Sequence, residues 1–86
     1  MNKQELIRFL QDEADRALTD IFPIILSKIE QEYEVGGKVS VPLYLSQYPQ
    51  NIQASIIGTA VKKLEELGYT VTPITGFDDK VSLEVS

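Results

Sequence analysis

The chain has 86 residues, and a single domain of this length buries only about 60% of the surface that its unfolded state exposes. It contains no cysteine and no histidine, which excludes disulfides, thiolate chemistry, Cys-ligated or His-ligated metals and the commonest general base at neutral pH. Thirteen acidic residues against eight basic ones give a net charge of −5, which disfavours nucleic acid and anionic membranes as direct partners.

The first predicted element is a helix over residues 4–33. Apolar residues recur along it at spacings of three and four, as in a helix with one buried side. These residues are Leu6, Ile7, Leu10, Ala14, Ala17, Leu18, Ile21, Ile24, Ile25 and Ile29. Because Pro23 cannot donate a backbone hydrogen bond, the helix either kinks there or ends near Leu18 and restarts with Thr19 or Asp20 as N-cap. The apolar phase continues across Pro23, which favours a kink or a very tight break.

A strand is predicted over residues 38–45, after the helix-ending pair Gly36-Gly37. Val39, Val41, Leu43 and Leu45 alternate there with residues that are mostly polar, which is typical of a half-buried strand. Pro42 predicts that this strand lies at a sheet edge or ends early.

The second predicted helix begins near Asn51, whose side chain can cap it. Its buried stripe is Ile52, Ile56, Ile57, Ala60, Val61, Leu64 and Leu67. Gly58 inside the helix costs about 1 kcal/mol relative to alanine, which indicates close packing at that point. Gly68 is predicted to be the left-handed residue after the helix.

Two alternating runs follow, over residues 69–74 and 81–86, joined by a loop that contains Gly76. They predict an antiparallel hairpin with one face on the helices. The whole chain, residues 1–86, is therefore predicted to form one α+β domain. Its two helices pack on one face of a three-stranded antiparallel sheet, in the order α-β-α-β-β.

The negative charge is concentrated in residues 1–34, which hold eight acids against four bases. We predict that the first helix presents an acidic outer face to a basic protein partner. The residues of this predicted partner-binding surface are Glu5, Asp12, Glu13, Asp15, Asp20, Glu30 and Glu34. An ordinary solvated helix face is the alternative interpretation.

The remaining clusters of polar residues predict no catalytic, cofactor or metal site. Asp78-Asp79 lacks the further oxygen ligands of a calcium loop, and Glu65-Glu66 is typical of an exposed helix face. Tyr33, Tyr44, Tyr48 and Tyr69 are not interleaved with basic residues, so amphipathic rim positions are expected for them. Phe77 at the hairpin tip either folds onto the core or, together with Asp78 and Asp79, contacts a partner. The chain is thus interpreted as a protein that is not an enzyme.

The segment from Val61 to Tyr69 (VKKLEELGY), followed by Gly76-Phe77-Asp78-Asp79-Lys80, resembles the end of a winged-helix domain. The resemblance implies a recognition helix and a hairpin wing, and hence a DNA-binding regulator. However, the predicted recognition helix begins with residues 51–58 (NIQASIIG), which contain no basic residue, whereas DNA contact needs lysines and arginines. No direct binding of nucleic acid is therefore expected.

A second resemblance covers more of the chain. Residues 37–43 (GKVSVPL) and 64–71 (LEELGYTV) are similar to small uncharacterised phage proteins, in which a "GKxSVxL" strand precedes a helix ending in "LxxLGYxV". Acidic proteins of this kind include DNA mimics that occupy basic surfaces of host proteins. The resemblance therefore implies an inhibitor of a basic host protein, such as a histone-like nucleoid protein, acting in the host cytoplasm. A virion or assembly component is the alternative.

The width of the apolar stripe on the first helix predicts a homodimer. Phe9 and Leu26 lie at its margins, and a chain this short has little else with which to cover it. Pairing of two identical helices would bury this surface. The longest apolar run, Ile24-Ile25-Leu26, is far shorter than the roughly 20 residues of a membrane span, and no signal peptide is expected at the N-terminus.

Overall fold

The computed structural model describes residues 1–76 and 80–86. In chain order, the chain forms α1 (Lys3–Glu32), β1 (Val39–Leu43), α2 (Gln50–Glu66), β2 (Val71–Thr75) and β3 (Val81–Val85). The strands make one antiparallel sheet in the order β1-β3-β2. The predicted α+β class and the element order α-β-α-β-β are confirmed, with β1 at a sheet edge.

Helix α1 is continuous through Pro23. The alternative in which the first helix ends near Leu18 and restarts is therefore wrong. Pro23 is exposed, so water can hydrate the carbonyl that loses its partner at this point. The helix begins with a reciprocal cap, in which the Asn2 side chain accepts the Glu5 amide at 2.8 Å and donates to the Glu5 carboxylate at 3.1 Å.

The core lies between the two helices and one face of the sheet. Helix α1 contributes Ala14, Leu18, Ile25 and Ile29, and α2 contributes Ile52, Ile56, Ala60 and Leu64. The sheet contributes Val39, Val41 and Leu43 from β1 and Val81, Leu83 and Val85 from β3. Alternate residues of each of these strands are buried, which is the pattern that the sequence predicts for β1 and β3.

Three details of the second helix differ from the prediction. The helix starts at Gln50 with Pro49 as N-cap and has no capping side chain, so Asn51 does not cap it. Leu67 is the C-cap and is 59% exposed, so it does not belong to the buried stripe. A Cβ at Gly58 would meet no atom within 4 Å, so the close packing expected there is absent.

The end of α2 confirms the predicted role of Gly68. This glycine has φ +98° and donates to the Glu65 carbonyl at 3.0 Å, while the Tyr69 amide donates to the Leu64 carbonyl at 3.1 Å. These two bonds form a Schellman motif, which requires a left-handed residue after the C-cap. The motif fixes the direction in which the chain leaves the helix and hence the position of Tyr69.

Both edge strands carry a proline in a position that weakens further pairing. Thr70 and Ser86 exchange backbone hydrogen bonds of 2.8 and 2.9 Å. The backbone N–H groups of alternate residues, Thr70, Thr72 and Ile74, therefore point toward β3. The nitrogen of Pro73, which lies between two of them, points away from the sheet. The same alternation turns Val41 toward β3 and the nitrogen of Pro42 toward the opposite edge. Each outer edge therefore lacks one of its donors, which disfavours the addition of a further strand.

Candidate protein-binding surfaces

Most of the predicted acidic surface is exposed. Glu5, Asp12, Asp15, Asp20 and Glu30 are exposed along α1, and Glu13 is partly covered. Glu34 is exposed beyond the end of the helix, where its carbonyl accepts the Gly37 amide at 2.9 Å. The structure thus places six of the seven predicted residues on α1 and the seventh in the turn that follows it.

Few of these carboxylates have a basic partner. The ion pairs found among residues 1–76 and 80–86 are Glu13 with Arg16, Glu32 with Lys28 and Glu84 with Lys38. Within that part of the chain, Glu13 is thus the one member of the predicted surface that forms an ion pair. The charge of the other six is not neutralised by direct contact with lysine or arginine of the described residues.

The outermost carboxylates form a single line along α1. At about 100° per residue, Glu5, Asp12, Asp20 and Glu30 fall within an arc of about 80° on the side opposite the buried residues. Their spacing along the axis is roughly 10–15 Å, since each residue advances the helix by about 1.5 Å. Arg16 lies within the same arc, with a side chain that is 78% exposed, and reduces the net negative charge of this line.

The predicted contact at the hairpin tip cannot be located. Phe77, Asp78 and Asp79 lie outside the described residues.

The first two turns of α1 extend beyond the rest of the molecule. Every residue from 1 to 9 is exposed, whereas Leu10 is partly buried and its carbonyl accepts a hydrogen bond of 2.9 Å from the Ser55 hydroxyl of α2. Leu6, Ile7 and Phe9 are 42–45% exposed in this extension. The structure therefore leaves apolar surface on α1 that the described residues do not cover.

A second apolar surface lies between α1 and the free edge of β1. It is a groove of about 360 Å³. Ile21, Ile24 and Lys28 line it from the helix, and Pro42 and Tyr44 line it from the strand side. Ile24 is 68% exposed and Tyr44 is 78% exposed, so these two side chains are available for contact.

A third concave surface lies where the C-terminal ends of both helices meet. This notch has a volume of about 460 Å³ and is lined by Glu30 and Tyr33 from α1 and by Leu67, Gly68 and Tyr69 from the end of α2. The rings of Tyr33 and Tyr69 have centroids 6.2 Å apart and planes inclined by 68°. They form two walls of a corner, and Glu30 is among the residues that line it.

The notch is the surface that sequence reasoning missed. Its signal was present in the sequence, since Tyr33 is the last residue of the first predicted helix and Tyr69 follows the glycine that ends the second. The sequence pattern does not indicate that the C-terminal ends of the two helices meet. They meet because α1 and α2 run parallel, as the contacts between residues 10 and 55, 22 and 63, and 33 and 69 show.

One ion pair ties the start of β1 to β3. The Lys38 ammonium lies 2.8 Å from the Glu84 carboxylate. Hydrogen bonding to Glu84, assisted by the attraction of its charge, raises the pKa of Lys38 above the ordinary value of 10.5. The Lys38 ammonium therefore stays charged at neutral pH. The stabilisation that accompanies its raised pKa is fully present below the ordinary value of 10.5 and is lost as the pH rises through the raised value.

No described group of three or more acidic residues is placed to hold a metal ion. In the same part of the chain, no helix has the length and hydropathy that crossing a membrane requires.

Comparison with protein-family models, curated proteins and solved structures finds no match.

Proposed function

We propose that this chain is a small phage-type protein that binds a basic, nucleic-acid-binding host protein through the acidic outer face of α1. It acts as an inhibitor that competes with DNA, and it has no enzymatic role. The observation that carries the proposal is the line formed by Glu5, Asp12, Asp20 and Glu30, exposed carboxylates without an ion-pair partner among the described residues.

The charge density of α1 sets the strength of the mimicry. Seven acids along a helix of about 45 Å give one carboxylate per roughly 6 Å, whereas one DNA strand has a phosphate every ~3.4 Å. A single copy is therefore a sparse mimic of DNA. Two copies side by side double the number of carboxylates, which supports the homodimer as the active form.

The exposed apolar extension of α1 is the surface that we assign to the dimer. Leu6, Ile7 and Phe9, each 42–45% exposed, offer together about 200 Å² per copy. At about 100° per residue these three side chains spread over roughly 160° of the helix, and Phe9 lies within the arc of the acidic line. A standard interface buries about 800 Å² per partner, so they supply part of its apolar surface and flanking residues supply the rest. Each sheet edge has a proline in place of one outward donor, so pairing through helices is favoured over pairing through strands.

The proposal is tested by competition between this chain and DNA for a purified histone-like nucleoid protein. A labelled duplex is bound to the nucleoid protein at about 50 mM salt, and its release is followed by fluorescence anisotropy as this chain is added. We expect release at low salt and much weaker release at about 200 mM salt. An absence of release at the lower salt concentration overturns the proposal.

Two double variants with the same charge change show whether the face of α1 is responsible. Asp12→Asn with Asp20→Asn removes two charges from the line on α1, and we expect binding to weaken by about threefold to thirtyfold. Glu65→Gln with Glu66→Gln removes two exposed charges from α2, and we expect little change. Equal losses in the two variants would mean that only net charge matters, and not the acidic face.

A winged-helix-type DNA-binding regulator is the second candidate. A helix, a left-handed glycine and two hairpin strands follow one another from Gln50 to Val85, which is the order that this resemblance implies. The exposed start of α2 carries no base, and Lys63 lies 5.7 Å from the centre of the Phe22 ring. A gel shift with random duplex at about 50 mM salt separates the two candidates, and we expect no shift.

A further inference from the structure

The notch at the helix ends combines three features that favour a bound cation. Its walls are the rings of Tyr33 and Tyr69, and aromatic faces attract cations through their quadrupole. The acidic residue Glu30 is among the residues that line it. Of the described residues, those that line the notch include no lysine or arginine.

The backbone adds to this negative potential. Both helices end at the notch, and each C-terminus carries a partial charge equivalent to about half of an electron. The last turn of α1 contains no basic residue that would compensate for it, whereas the last turn of α2 contains Lys63. The uncompensated dipole of α1, one acidic residue and two aromatic rings therefore act on the same small volume.

The backbone that carries the two tyrosines is fixed before any ligand arrives. Tyr33 is the C-cap of α1, and its amide donates to the Ile29 carbonyl at 2.8 Å. The backbone of Tyr69 is fixed by the Schellman motif at Gly68, whose φ of +98° is required for the turn. Fixing the backbone at both residues reduces the conformational entropy that the site loses on binding.

From these observations, we propose that the notch binds the guanidinium group of an arginine side chain. Guanidinium is planar, stacks on aromatic rings and donates paired hydrogen bonds to a carboxylate, so it matches the two tyrosines and Glu30 better than a compact ammonium does. The source of this arginine rests on the proposed function, because we assign the arginine to the basic protein partner. The binding of the side chain itself is independent of that partner's identity.

The test is a titration of the whole chain with N-acetyl-arginine amide, followed by NMR of the tyrosine ring protons. We expect saturable shifts at Tyr33, Tyr69 and the Gly68 amide, with a dissociation constant in the millimolar range that is usual for a single side chain. N-acetyl-citrulline amide has nearly the same shape without the charge, and we expect no saturable shift from it. N-acetyl-lysine amide is expected to bind more weakly than the arginine probe.

Variants of Tyr33 separate the role of the ring from that of the hydroxyl. This residue is 42% exposed at the helix end, so its substitution leaves the core intact. We expect Tyr33→Leu to weaken binding about threefold to tenfold and Tyr33→Phe to retain it, because the ring face carries the interaction. Glu30→Gln should weaken binding about twofold to fivefold. Tyr44→Leu removes a tyrosine on another surface and should have no effect.

The outcomes distinguish this proposal from the proposed function. If the arginine and citrulline probes give equal shifts, or neither saturates up to about 0.1 M, the notch is not a cation site. If the arginine probe binds but the nucleoid protein does not, the notch stands and the proposed function fails. If the nucleoid protein binds and Tyr33→Leu leaves that affinity unchanged, the partner does not use the notch, and the assignment of the arginine to this partner is overturned.

Discussion

Replacing Gly58 by alanine is expected to stabilise the protein. Gly58 lies in the middle of α2 and does not have a positive φ. A Cβ placed there meets no atom within 4 Å, so the new methyl group causes no clash and fills no cavity. The gain then comes from helix propensity alone, since glycine in a helix interior is about 0.8–1.0 kcal/mol less favourable than alanine. For a domain of this size, this gain corresponds to a rise in Tm of roughly 4–8 °C.

The assay is thermal and urea unfolding followed by circular dichroism, with Gly68→Ala as the matched control. Gly68 also has open space around its Cβ position, but its φ is +98°. The same substitution there forces alanine into the left-handed region, which costs about 1–2 kcal/mol. The two variants add the same methyl group, and we expect free energies of unfolding that change in opposite directions.

A Gly58→Ala variant that is no more stable than the parent would refute this reasoning. It would mean that the exposed side of α2 at Gly58 is covered in solution, and a second copy of the chain is one such cover. Measurement at two protein concentrations identifies that case, because a contact between copies makes the unfolding midpoint depend on concentration.

Three further substitutions test the dimer, the sheet edges and the core. Phe9→Ser should weaken self-association by at least about tenfold in sedimentation experiments. Val35→Ser should not weaken it, because Val35 is 98% exposed but lies outside the extension of α1. Equal effects of the two substitutions would refute the assigned dimer surface. Pro42→Thr restores the missing donor of the β1 edge and should increase aggregation measured by light scattering; unchanged scattering would show that the proline is not protective. Leu83→Ala, in the fully buried centre of the sheet, should cost about 2–5 kcal/mol of unfolding free energy in urea titrations, and a loss below about 1 kcal/mol would contradict its central position.

Local patterns in the sequence were sufficient for the architecture of this protein. The alternation in Val39, Val41 and Leu43 predicted a half-buried strand, and Pro42 predicted that this strand lies at an edge or ends early. Gly68 after an apolar stripe predicted the left-handed end of α2. These features depend on neighbours within a few residues along the chain, where backbone geometry determines which side chains share a face.

The features that only the tertiary structure decided involve residues far apart in the chain. A glycine inside a helix has the same sequence signature whether it packs closely or faces water, and only the position of α2 shows that Gly58 is open. Pro23 was compatible with a kink or a break, and packing of both halves of α1 on one core keeps the helix continuous. The corner of Tyr33 and Tyr69 exists because two parallel helices end at the same place. The charge and periodicity of the sequence thus define surfaces, but the way in which the helices pack decides which of these surfaces meet.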